Sequence, residues 1–115
     1  MVNQLETKAA YEEAIKADGL VVIDFTATWC PPCQRIGPKF AALDGTYDGV
    51  TLHKLDVDAN AEGASAAGIS CMPTFKFYKG GECVHTIEGA DENGLKAKIE
   101  ELKCCLLYTS PSPRD

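Results

Sequence analysis

Long hydrophobic runs are missing from this chain of 115 residues. Nothing in it approaches the ~20 consecutive apolar residues that span a bilayer, so no membrane-crossing segment is expected. Basic charge is also scarce, with 11 Lys and Arg against 17 Asp and Glu and a net charge of −6. Such a surface repels phosphate backbones and anionic lipid alike, so neither nucleic acid nor membrane is expected as a partner. The opening residues Met1-Val2-Asn3-Gln4-Leu5-Glu6 hold no basic cluster and no apolar stretch, so they do not read as a secretory signal, and a cytoplasmic protein is expected. Histidine is limited to His53 and His85. No internal repeat and no linker divides the chain, whose length suits one domain and hardly two. A chain of this size buries about two-thirds of its unfolded surface, enough for a core without metal or disulfide staples.

Cysteine, by contrast, is abundant: Cys30, Cys33, Cys71, Cys83, Cys104 and Cys105. Without a secretory signal, a Cys-x-x-Cys pair points to catalysis or metal binding rather than to a staple framework. Structural zinc takes four ligands, commonly as two such pairs. The remaining cysteines and the two isolated histidines do not supply a second pair, so no metal is expected.

Hydropathy patterning gives the order βαβαβαββα. Val2–Leu5 reads as a short edge strand, and Tyr11, Ala14 and Ile15 stripe a helix over Thr7–Ala17. Leu20–Phe25 is nearly continuously apolar, as in a strand covered on both faces, with Asp24 its one charge. Ile36, Phe40, Leu43 and Tyr47 predict a helix from about Pro32 to Tyr47, kinked at Pro38. Thr51–Val57 is the next strand. A short helix over residues 60–67, capped by Asp58 or Asn60, stops at Gly68. Thr74–Tyr78 and Cys83–Glu88 form a hairpin about Lys79-Gly80-Gly81-Glu82. Leu95, Ile99 and Leu102 stripe a last helix capped by Asp91. These elements imply an α/β fold, a mixed central sheet flanked by helices on both faces. The folded domain is expected over residues 1–103. Cys104-Cys105-Leu106-Leu107 loses the stripe, and Tyr108–Asp115 (YTSPSPRD) lacks residues that could pack and resembles translated adapter sequence, so 104–115 is expected to be a disordered, non-native tail. A prenylation box is excluded because that motif must be terminal.

The chemistry centres on Cys30-Pro31-Pro32-Cys33, which follows a buried strand and opens a helix. A helix N-terminus carries about half a positive charge and unpaired N–H groups, both of which favour a thiolate. Cys30, nearest the open end, is the expected nucleophile. Cys33, one turn inward and within disulfide reach, is the expected resolving thiol in dithiol–disulfide exchange. Prolines at both intervening positions stiffen the loop and remove two N–H donors. Asp24, alone in its apolar run, should have a raised pKa.

Ala27-Thr28-Trp29-Cys30-Pro31-Pro32-Cys33, Cys71-Met72-Pro73-Thr74-Phe75, Lys54-Leu55-Asp56-Val57-Asp58 and Glu88-Gly89-Ala90 stand in the order and spacing of the thioredoxin family. From Val2 to Lys103 the chain resembles its short eukaryotic cytosolic members. The resemblance implies the thioredoxin fold and a protein-disulfide reductase, an electron carrier holding no cofactor. Its electrons would come from an NADPH-dependent flavoprotein thioredoxin reductase, and its clients would be disulfide-containing proteins. It implies that Asp24 lies beneath the cysteines and moves a proton at Cys33, that Lys54 tunes Asp24, and that the Met72–Pro73 bond is cis, a state found in only ~5% of X–Pro bonds. Trp29, Pro31, Pro32, Met72, Pro73, Gly89 and Ala90 would form the client-binding rim. The chain departs from the family pattern at Pro31, commonly Gly, and at Gln34, commonly basic. Both bear on potential and client preference rather than on the reaction.

Cys71 resembles an extra exposed cysteine that forms intermolecular disulfides in some animal members, with a spectator thiol the equal alternative; a monomer is expected, with a dimer through Cys71 as a variant state. Cys83 is expected to be a buried apolar filler. Two other readings remain: an oxidant or isomerase of the protein disulfide isomerase kind, and a noncatalytic module using the groove around Trp29 and Pro73.

Overall fold

A computed structural model describes residues 3–47 and 49–107, the last four as backbone alone. Its elements are β1 (Asn3–Gln4), α1 (Lys8–Ile15), β2 (Leu20–Thr26), α2 (Pro31–Ala41), β3 (Val50–Asp56), α3 (Ala61–Ala67), β4 (Thr74–Lys79), β5 (Glu82–Glu88) and α4 (Glu92–Leu107). The expected order βαβαβαββα is observed. The strands form one mixed sheet in the order β1-β3-β2-β4-β5. β3 runs parallel to both β1 and β2, and β4 is antiparallel to β2 and β5.

β2 is central, which explains its apolar run: residues 20–25 are all buried, Asp24 included. Alternate residues serve opposite faces. Leu20 and Val22 join Leu52, Phe75 and Phe77 beneath Ile36 and Phe40 of α2 and Leu95 and Ile99 of α4. Val21, Ile23 and Phe25 join Leu55 and Tyr78 beneath Tyr11 of α1 and Ala64 of α3. Burying each large side chain contributes roughly 1.5–3 kcal/mol. On the second face the hydroxyls of Tyr11 and Tyr78 satisfy each other at 2.9 Å.

Side-chain caps set the helix starts. Thr7 Oγ1 accepts from Ala10 N at 3.0 Å, Asn60 Oδ1 from Gly63 N at 2.9 Å, and Asp91 Oδ1 from Gly94 N at 3.0 Å. Gly68, at φ +76°, ends α3.

Three expectations need correction. α2 stops at Ala41, not near Tyr47. Beyond it the amides of Leu43, Asp44 and Thr46 bond three residues back, and Gly45 takes φ +80°. Leu43 and Tyr47 still pack on the core, so the apolar spacing outlasts the helix. Cys83 is exposed, not buried. The β4–β5 register shifts between Phe77 and Tyr78, pairing Phe77 with His85 and Tyr78 with Cys83. That bulge inserts Val84 and puts Cys83 out of phase with Ile87, which packs on the core. Finally, the backbone of α4 continues as helix to Leu107, past the point where the apolar stripe fades. The expectation for residues 108–115 lies outside the described residues.

Candidate active site

β2 delivers the chain to Ala27, and α2 begins just beyond Cys30. Cys30 is the N-cap of α2, with Pro31 and Pro32 at its first two positions. Neither proline has an N–H, so two of the donors that a helix start leaves unpaired do not exist. The next amide, Cys33 N, donates to Cys30 Sγ at 3.3 Å, and Gln34 N starts the helical ladder on Cys30 O at 3.1 Å. The sulfur at position 30 therefore occupies the place of a capping oxygen.

The two cysteines are joined as a disulfide, with Cα atoms 5.2 Å apart. Both are buried, Cys30 keeping 4% exposure and Cys33 1%. With Ala27 they form a small apolar cluster, against which Val57 and Met72 pack. The Met72–Pro73 peptide is cis. Pro73 O accepts from Gly89 N at 2.8 Å, which ties the loop of Gly89 (φ +107°) and exposed Ala90 to the turn before β4. Trp29 stands 62% exposed beside Cys30. Its Nε1 donates to Asp58 Oδ2. Pro31 is exposed and Pro32 half-buried.

A cleft of about 500 Å³ opens on the other side of the pair, lined by Asp24, Cys33, Gln34, Phe40, Lys54 and Asp56 among others. Asp24 is 2% exposed, and its Oδ1 has no hydrogen-bond partner among the described residues. Burial pushes its carboxyl up to about 7, and the positive charge of Lys54 offsets part of that rise. Asp24 and Lys54 are register partners on β2 and β3, so their side chains share one face of the sheet. A buried carboxyl that titrates near neutrality, in the same cleft as the inner cysteine, can take up or release a proton there.

The sequence-derived residues thus fall into two connected groups: the rim about Cys30, and Asp24 with Lys54 behind Cys33. Cys71 is a free, exposed thiol in the turn before Pro73. Among the described residues no group of three or more His, Cys, Asp or Glu could hold a metal ion, and no helix is long and apolar enough to cross a membrane. Sequence reasoning missed Val57 and Asp58. The signal was there in Asp56-Val57-Asp58, a strand-end stretch with two carboxylates two residues apart.

The Thioredoxin family model matches residues 2–101. The chain belongs to the thioredoxin family. It is 51% identical over 106 residues to the thioredoxin of Geodia cydonium, covering 90% of this chain and all of that protein. To human thioredoxin it is 46% identical over 104 residues, or 89% of this chain and 99% of the other. Among solved structures, Fasciola hepatica thioredoxin superposes with a TM-score of 0.84 at 39% identity, covering 89% of this chain and 100% of that one. A Plasmodium falciparum thioredoxin gives 0.83 at 39% identity, covering 87% and 98%. The disulfide stands at the family's active-site position, and the protein is a protein-disulfide oxidoreductase. As in the family at large, its partners are disulfide-containing clients and a reductase, and the exchange proceeds on its own sulfurs.

Proposed function

We propose that the chain works as a reductant of protein disulfides, with Cys30 as nucleophile and Cys33 as resolving thiol. In the reduced protein the Cys30 thiolate attacks one sulfur of a client disulfide. A Cys30–client bond forms, and the client's other sulfur leaves as thiolate and takes a proton from solvent. Cys33 then gives its proton to ionised Asp24, and its sulfur attacks Cys30 Sγ. The Cys30–Cys33 bond closes, the client's second sulfur leaves as a thiolate that takes the proton held by Asp24, and two electrons have passed to the client. Lys54 biases Asp24 toward ionisation, and Trp29, Pro31, Pro32, Met72, Pro73, Gly89 and Ala90 seat the client chain. An NADPH-dependent flavoprotein thioredoxin reductase returns the electrons in the cytoplasm. The working form is a monomer, and Cys71 offers a thiol for a disulfide between two copies.

The observation that carries this reading is Asp24, buried, with Oδ1 lacking a hydrogen-bond partner among the described residues, in the cleft that Cys33 also lines. Insulin reduction tests it. Cys30→Ser should abolish turnover, and Cys33→Ser should accumulate mixed disulfides that dithiothreitol releases. Asp24→Asn should slow resolution by about a hundredfold, the lower end for a positioned acid–base group, while sparing the first attack. Equal turnover in the wild type and Cys30→Ser would reject the mechanism. A potential far above about −270 mV would favour an oxidant or isomerase instead.

A further inference from the structure

The segment joining β3 to α3 carries more hydrogen bonds than a simple connection needs, and they converge on the active-site indole. Asp56 Oδ1 accepts from Asp58 N at 2.9 Å and from Ala59 N at 3.2 Å. The carbonyl of the same residue accepts from Asn60 N at 2.8 Å, and Val57 N is held by Thr26 O at 2.9 Å. Residues 56–60 are therefore pinned at both ends. Val57 is laid against the cysteine cluster, and the Asp58 carboxylate on Trp29 Nε1. An indole 62% exposed has little packing to hold it, so this hydrogen bond is its main restraint.

We infer that Asp56 is a positioning residue for the client-facing surface: by fixing the two amides of residues 58 and 59 it aims Asp58, and Asp58 locks the ring of Trp29 beside Cys30. This inference rests on the reading of Trp29 as part of the client rim. A ring that is already fixed loses no rotamer freedom when a client docks, so the relay should lower KM for protein clients and leave the sulfur chemistry alone.

Two substitutions separate acceptor geometry from charge. Asp56→Asn keeps an oxygen where the amides need it and loses the charge. Asp56→Glu keeps the charge and carries the oxygen too far out. Asp58→Ala removes the last link. Trp29 is the only tryptophan, so time-resolved fluorescence anisotropy reads its mobility directly. The expected result is a freer indole in Asp56→Glu and Asp58→Ala, with KM for insulin raised about fivefold and kcat little changed. Asp56→Asn should keep wild-type anisotropy and KM. Reduction of the Cys30–Cys33 bond by dithiothreitol should proceed at the wild-type rate in Asp58→Ala, whose side chain does not line the cleft of Asp24. Wild-type anisotropy in Asp56→Glu or Asp58→Ala, or a freed indole in Asp56→Asn, would overturn the relay. An unchanged KM in Trp29→Ala would sink the rim reading instead, and the anisotropy contrast would still decide the relay.

Discussion

Asp24 links the stability of the fold to pH through one proton. Its carboxyl titrates near 7 in the folded chain, against a reference of 3.8. Below the reference value both states hold the proton. Between about 4 and 7 the unfolded chain releases it while the folded chain keeps it. Stability contributed by this residue is therefore lost as pH rises across that window and is level above it, a swing of roughly 4 kcal/mol in all. Asp24→Asn should be more stable than the wild type at pH 8, by about 2–4 kcal/mol, and nearly equal to it at pH 4. His53, whose burial pushes its pKa down, acts oppositely on the acid side. Urea unfolding of both proteins at each pH cancels that background, and a pH-independent difference would contradict the assignment. The sequence exposed this residue clearly, because one carboxylate in an apolar strand has few structural uses. It did not expose Asp58, whose partner Trp29 lies on another element and is joined to it only by the fold.

Among the elements, α3 is short, and its N-cap has two tasks. Asn60 caps the helix through Oδ1 and, through Nδ2, donates to Leu5 O at 3.0 Å, tying the residue after β1 to the start of α3. It is 4% exposed, so neither group it serves can turn to water. Asn60→Ala should cost about 2–3 kcal/mol, against about 1 for the exposed cap Thr7→Ala. Urea midpoints measure both, and equal losses would show that the tie to Leu5 is idle. The same comparison shows what patterning conveys. The stripes of α1 and α4, the hairpin and the caps of α3 and α4 were legible because they are local. The end of α2 was not, because Leu43 and Tyr47 keep the helical spacing while packing from a turn. The exposure of Cys83 was hidden for a related reason: one bulge reverses the face of every residue beyond it.

At the scale of the molecule, two helix pairs cover the two faces of one sheet, and the cysteines sit at an end of its central strand. The family match closes at residue 101, and the core contacts of α4 come from Leu95, Ile99 and Leu102. Removal of residues 108–115 should accordingly leave Tm and insulin turnover unchanged, which thermal melts and the standard assay would check; a lowered Tm would show that the terminal residues support the fold. β2 is bonded on both edges, to β3 and to β4, whereas among the described residues β5 is bonded on one edge, to β4. Protons on β2 amides can therefore be traded for deuterium only when the whole chain opens, while those of β5 escape through local fraying. Closing the sulfur–sulfur bond favours the closed ensemble, so oxidation should slow deuterium uptake along the middle strand and leave the outer one almost untouched. The redox state of two sulfurs just past the end of the middle strand would thereby be recorded along its whole length.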